Sequence, residues 1–243
     1  MKNEINNKEI KPNKGKNLEI QIGSKTYLRL PIRTALITEK SDIIEELKKY
    51  ITPYLEPNDI IFVSEKVLAI TQGRIINLND IKPTSFARFL ARKVNNKYGT
   101  KDFRGFGHGT PMAMQLLIEE AGYPRVFLAA AISAITRPLG IKGLFYVICG
   151  KRAKSIDCPL SFNILEYAHH AKLAPMDPDG AAKKIKKEFG NEAVILDANY
   201  LGAFSVGKSN RSITEKFIQQ AFKDNPLGQA DEMTPFCILR EKK

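Results

Sequence analysis

Hydrophobic and polar positions change period several times along the chain. LEIQI (18–22), the turn Gly23-Ser24 and KTYLRL (25–30) alternate apolar and polar residues as the two arms of a β-hairpin do. The period then lengthens: Ser41-Asp42 offers a cap to IIEELKKYITPYL (43–55), whose apolar residues recur every three and four positions, and Glu56-Pro57-Asn58-Asp59 turns the chain out of that helix. IIFVSEKVLAIT (60–71) reads as a buried strand followed by something less regular, and Gly73 turns the chain into a second strand, RIINL (74–78).

SFARFLARKVNNKYG (85–99) is patterned as an amphipathic helix. FRGFGHG (103–109) reads as a glycine-rich loop, and TPMAMQLLIEEAG (110–122) as a helix with Thr110 capping and Pro111 at the first helical position. RVFLAAAISAITRPLG (125–140) fits either a helix of small residues or a packed strand and turn. GLFYVICG (143–150) has the aromatic and β-branched composition of a central strand. DPDGAAKKIKKEFG (177–190) is a helix begun by Asp177 or Asp179 and stopped by Gly190, and the buried strand AVILDAN (193–199) follows it. ITEKFIQQAF (213–222) closes the series of helices before a polar loop, NPLGQADEMTP (225–235), and a last strand, FCILR (236–240). Helices and strands mix without regular βα alternation, which predicts an α+β fold with mixed or antiparallel sheets and packed helices. Residues 1–16 read as a disordered basic tail and residues 17–243 as a single domain, in one body or two lobes.

Composition narrows the class. The chain has 243 residues, 43% of them hydrophobic, enough to bury a substantial core without staples. The longest nearly apolar stretch ends at Arg137, well short of the roughly 20 residues of a membrane span, and the lysine-rich N-terminus has no apolar signal region. A cytoplasmic protein is expected, with Cys149, Cys158 and Cys237 as reduced thiols, since the number is odd and no CxxC pair occurs. The net charge of +12 suits acidic ligands, although six lysines within the first 26 residues also suit a solvated tail. No interleaved aromatic and basic motif points to nucleic acid.

Few side chains stand out chemically. Gly202 through Gly207-Lys208-Ser209 spells a phosphate-binding loop, but Asn210-Arg211 follows where a helix should start. The segment therefore reads as a turn into a short strand, with Lys208 and Arg211 available to an anion. Asp197 ends an apolar run and should emerge at a strand end, where ligands of mixed sheets bind. Asp157 is expected after a strand and a short basic turn, and each acid equally suits a turn or cap. His108, between two glycines before a helix, is either a ligand contact or an exposed loop residue; His169 and His170 are adjacent and cannot share a metal on a regular element.

Three segments, in order across residues 30 to 240, resemble the coenzyme F420-0:γ-glutamyl ligase family. Arg33-Thr34-Ala35-Leu36-Ile37 with DIIFVSEKVLAITQGR (59–74) is similar to its opening nucleotide loop and strand, Ile156-Asp157 with LAPMDPDGAAKKI (173–185) to a metal-binding Asp and a helix start, and VILDAN (194–199) to a second metal-binding strand. The resemblance implies an intertwined homodimer that joins an amino acid, glutamate in the family, to a small-molecule carboxylate through an acyl phosphate, using GTP or ATP with Mg²⁺ or Mn²⁺. It implies Asp157 and Asp197 as metal ligands. It implies nucleotide contacts at Thr34, Ala35, Leu36, Ile37, Glu65, Lys66, Arg74 and Asn163, and in the late loop at Gly228, Gln229, Asp231, Glu232 and Thr234; no catalytic residue is implied. The chain departs from the family at Ile70, where Lys is usual, and at Ala198, where Thr is usual. A noncatalytic protein binding a nucleotide or phosphorylated metabolite on the same scaffold is the alternative reading.

Overall fold

The computed structural model describes residues 10–93, 109–160, 164–199, 202–228 and 231–242. His108, Asn163, Gln229 and most of the glycine-rich loop lie outside the described residues. The chain divides into two compact units, residues 1–73 with 176–243, and residues 74–175. No helix among the described residues is long and apolar enough to cross a membrane.

The first unit is built on a six-stranded mixed sheet. Strands β1 (Glu19–Ile22) and β2 (Lys25–Ile32) form the expected hairpin, and the order continues through β8 (Phe236–Glu241), β3 (Ile60–Ser64), β6 (Glu192–Asn199) and β7 (Gly202–Lys208). Among the described residues only β3 and β6 pair in parallel. Strict alternation divides the central strands between two cores. Ile61, Val63, Ala193, Ile195, Phe236 and Ile238 face one layer of helices, α1 (Ile43–Ile51), α2 (Glu65–Thr71) and α8 (Pro178–Phe189). Phe62, Val194, Leu196, Cys237 and Leu239 face the other side, covered by α9 (Glu215–Ala221) with Phe222.

Local chemistry starts these helices where the sequence places them. Asp42 accepts from the N–H groups of Ile44 and Glu45, Asp177 from Gly180, and Thr214 from Phe217. Asp177, not Asp179, is therefore the cap of α8, and Gly190 ends that helix in the left-handed region at φ 77°. The stretch after β3, expected to be irregular, is the regular helix α2; Ser64 makes no side-chain cap bond, so the usual start signal is missing. Residues 10–16 also depart from the solvated tail expected for residues 1–16. Asn13 is buried and donates to Pro226 O and Thr234 Oγ1, both at 2.8 Å.

The second unit is mostly helical: α3 (Ser85–Lys93), α4 (Pro111–Ala121), α5 (Tyr123–Thr136), α6 (Leu144–Cys149) and α7 (Lys151–Lys154), with the small ladder β4 (Ile75–Asn77) and β5 (His170–Lys172). Thr110 caps α4 with Pro111 in its first turn, as expected. The open choice at residues 125–140 resolves as helix α5. The central strand expected at GLFYVICG is instead helix α6. Gly143 at φ 85° and Gly150 at φ 97° turn the chain at both ends, so six apolar residues form a short helix packed on α5 and α7. Asp157 accordingly follows a helix, α7, where a strand and basic turn were expected.

Candidate functional site

Register brings four chain segments to one end of the large sheet. Ile32, the last residue of β2, pairs with Phe236, the first of β8; Val63 also pairs with Phe236, and Ser64, the last of β3, pairs with Leu196 of β6. The segments leaving that end are residues 33–37, the start of α2 at Glu65, the end of β6 beyond Leu196, and residues 225–228 and 231–235, which precede β8. This is the carboxyl end of the one parallel pair, the end at which open mixed sheets gather their ligands.

Backbone hydrogen bonds fasten the segments together. Thr34 N–H donates to Met233 O and Ser64 N–H to Pro235 O, both at 2.8 Å. Ala35 N–H donates to Tyr50 Oη at 3.0 Å, which holds the loop against α1. The Thr34 hydroxyl donates to Ala35 O, and the Thr234 hydroxyl donates to Leu227 O at 2.6 Å. Of the expected nucleotide contacts in the first loop, Thr34 and Ile37 are buried, Leu36 is half-buried and Ala35 is exposed; Ile37 belongs to the core.

Asp197 lies one residue beyond the Ser64–Leu196 pair, paired across the hairpin with Phe204. Alternation along β6 puts its side chain on the face of Ile195, the face of α1, α2 and α8. It is half-buried, and Glu65, which opens α2, is 4% exposed while Lys66 is exposed. The loop 225–235 adds Gly228 at φ 77°, over which the Glu232 carboxylate folds so closely that a Cβ on Gly228 would lie 2.3 Å from its carboxyl carbon. Asp231 is exposed and Glu232 half-buried.

Sequence reasoning missed Asn225, the residue that joins this loop to β6. It is 6% exposed, takes the left-handed conformation at φ 46°, and donates from Nδ2 to Gly228 O at 2.9 Å and Ala198 O at 3.4 Å. Its Oδ1 is buried without a hydrogen-bond partner. The available signal was Asn225 itself at a helix exit, since Asn tolerates the left-handed conformation better than other residues with a side chain. The neighbouring Asp224 carboxyl is pushed up by burial, but the hydrogen bond and charge of Arg29 outweigh that and hold it below the usual value of 3.8.

Other expected site residues lie elsewhere. Arg74, in the second unit, donates from Nε to Ala174 O at 3.0 Å and is ion-paired with Glu120, which Arg152 also contacts. Asp157, also in the second unit, has its Oδ2 3.4 Å from Lys172 Nζ. Lys208, the lysine of the phosphate-loop spelling, donates to Ile213 O at 2.8 Å and Glu215 Oε1 at 3.0 Å, and Gly207 lies within strand β7 against the start of α8. That segment is a strand, as expected, and not a phosphate loop. Ile70, where the resembling family carries Lys, is 3% exposed on α2.

The first unit also holds a cavity of about 330 Å³, lined by Asp42, Leu68, Gln72, Met176, Asp177 and Lys184 among others. Gln72 clasps the chain beside it, donating to Met176 O at 3.0 Å and accepting from Met176 N–H at 2.7 Å. Among the described residues no three His, Cys, Asp or Glu side chains are grouped so as to hold a metal ion. A divalent ion at the sheet end would therefore have to complete its shell with oxygens of a bound ligand or water, the usual way Mg²⁺ is held by one or two carboxylates and substrate phosphates.

A family model described as F420-0:Gamma-glutamyl ligase matches residues 31–140. The match takes in Thr34–Ile37, Glu65, Lys66 and Arg74 and ends before Asp157, Asp197 and the loop 225–235. No curated protein matches the chain.

Proposed function

We propose, from the membership of the F420-0:γ-glutamyl ligase family that the match over residues 31–140 supports, that this protein is an amide ligase with its nucleotide site at the carboxyl end of β3 and β6. The match suggests γ-glutamyl ligase activity in general. The finer reading is that GTP or ATP activates a small-molecule carboxylate as an acyl phosphate, which the amine of an amino acid, glutamate by resemblance, then attacks to form the amide. The observation that carries it is the convergence of residues 33–37, Glu65, Asp197 and the loop 225–235 at one sheet end, held there by the Thr34–Met233 and Ser64–Pro235 hydrogen bonds.

In this reading the chain's residues bind and orient. Thr34 and Ala35 are fixed by their backbone bonds and present the first loop to the nucleotide, while exposed Lys66 supplies positive charge for its phosphates. Asp197 would hold Mg²⁺ or Mn²⁺ together with the phosphate oxygens; when bound, such an ion neutralises charge on the transferred phosphoryl group. Glu65, Asp231 and Glu232 lie on the segments of the same sheet end but, among the described residues, form no metal-holding group there, so Asp197 is the one acid of this chain assigned to the ion. A homodimer in the cytoplasm completes the proposal.

A second reading has two observations in its favour. Ile70 is an apolar core residue where the family carries Lys, and Ala198 has no hydroxyl beside Asp197, so the scaffold supports nucleotide binding without turnover. Isothermal titration of GTP and ATP, with Mn²⁺ or Mg²⁺, into wild type and Asp197→Asn tests the site. Metal-dependent binding weakened at least tenfold in the variant is expected. No binding by either protein would remove the proposal, and binding without phosphate release in the presence of carboxylates and glutamate would select the second reading.

A further inference from the structure

Asp157 and Lys172 face each other across an isolated antiparallel bridge in the second unit: Asp157 N–H donates to Lys172 O at 3.0 Å and Lys172 N–H to Asp157 O at 2.8 Å. Residues directly opposite in such a pair carry their side chains on the same side. Lys172 Nζ accordingly lies 3.4 Å from Asp157 Oδ2, with the lysine side chain 1% exposed and the aspartate 43% exposed. The ammonium is thus held inside, against a carboxylate that itself reaches water. The residues on either side of Lys172 along the chain are both buried, Ala171 at 0% and Leu173 at 8%.

We infer that Lys172 is a built-in counter-cation for Asp157, and that Asp157 does not ligate a divalent metal. A metal ligand must offer its lone pairs to a dication, and a dication on this carboxylate would sit within a few ångströms of a fixed ammonium. A lysine on a mobile surface stem would swing into water, whereas the buried stem of Lys172 leaves the ammonium no such exit. Setting a like charge beside this buried ammonium is unfavourable, although the part-exposed carboxylate makes the cost less than that of a fully buried broken pair. The resemblance that assigns a metal to Asp157 rests on sequence order, and the side chain opposite it answers the same need for positive charge. The inference stands on the second unit's own geometry and does not depend on the nucleotide site proposed for the first.

Crystals of the full chain soaked with Mn²⁺ and GTP, measured at the manganese edge, give the direct test. No anomalous peak at Asp157, with Lys172 still in contact, is expected, and a peak on the Asp157 carboxylate would overturn the inference. Absence of a peak at Asp197 as well would count against the nucleotide–metal reading and leave the present inference standing. In solution, Asp157→Asn should leave Mn²⁺ affinity in the presence of GTP within about twofold of wild type; a tenfold loss overturns it. The ion pair itself is read from a double-mutant cycle: Asp157→Asn should lower the thermal midpoint in the wild-type background but not in Lys172→Met. Equal shifts in both backgrounds would show that the pair is not coupled.

Discussion

Arg29 and Asp224 form an ion pair that ties the middle of strand β2 to the chain leaving α9, with Arg29 Nη2 donating to Asp224 Oδ2 at 3.2 Å and Nη1 to Oδ1. The guanidinium is 2% exposed and also donates to Ala221 O at 3.0 Å and Asn17 O at 2.6 Å. Because the next residue is Asn225, the pair also fixes where the site loop begins.

Asp224→Ala should therefore destabilise the protein by about 2 kcal/mol, less than the 3–5 kcal/mol of a fully buried broken pair because the aspartate is one-third exposed. Denaturant titration measures it. The pH dependence has a definite sign: a carboxyl held below its usual value in the fold contributes stability that is present above the unfolded value and lost as the pH falls through the lower folded one. Wild type should lose stability below about pH 4, and Asp224→Asn should lack that part of the slope.

Gly207 is glycine because helix α8 starts against it. A Cβ there would lie 2.3 Å from Pro178 C, 2.4 Å from Pro178 O and 2.7 Å from Asp179 N, all backbone atoms that cannot turn aside. Gly207→Ala should cost about 2–3 kcal/mol in denaturant unfolding, the upper part of the range for overpacking. A cost under 0.5 kcal/mol would mean that the α8 start is free to move.

Lys208, by the same geometry, is a structural residue whose ammonium joins Ile213 O and Glu215 at the entry to α9. Lys208→Met should cost no more than about 1 kcal/mol, since Glu215 is half-exposed, and should leave GTP affinity within about twofold of wild type. A tenfold loss of affinity would return this lysine to the phosphate-binding role its spelling resembles.

Helices with polar caps were legible in the sequence because a cap is a local signal: Asp42, Thr110 and Asp177 each accept a backbone N–H of the helix they were expected to start. Where the signal is tertiary, sequence reading went astray. Phe145, Tyr146 and Val147 have strand-like composition but form α6, because positive-φ glycines bracket them and they pack against neighbouring helices. Helix α2 follows β3 without a cap, so nothing local announced it. Asp197 was singled out by the apolar run that it ends, and the other residues of the site were reached through resemblance. Their meeting at one sheet end depends on the parallel pairing of Ile60–Ser64 with Glu192–Leu196, more than 120 residues apart, which no local pattern encodes.

The three cysteines give a chemical check on the cores. Burial pushes the Cys237 thiol up to about 12 and the Cys149 thiol up to about 11, and it raises Cys158 as well. The reactive thiolate is scarce in all three at pH 8, and each side chain is buried. Native protein should therefore react with a disulfide reagent at least a hundredfold more slowly than protein in denaturant, where all three thiols should titrate. Fast labelling of one thiol in the native state would show that its core opens locally.

Asn225 offers the sharpest link between fold and site. Its side-chain amide donates to carbonyls on both sides of the junction, Ala198 beside the proposed metal acid and Gly228 at the start of the late loop, while its own backbone stands at φ 46°. Asn225→Gly keeps the left-handed backbone and removes the two hydrogen bonds, so it should cost about 1–2 kcal/mol in unfolding. Asn225→Asp keeps the shape but turns an acceptor toward two carbonyl oxygens. It should cost more than Asn225→Gly at pH 8 and recover as the pH falls and the carboxyl gains a proton with which to donate. If loop and strand act together in holding a nucleotide, both variants should weaken GTP binding at least tenfold at temperatures where they remain folded. Unchanged affinity in a destabilised but folded Asn225→Gly protein would confine this residue to the fold and move the nucleotide away from the loop.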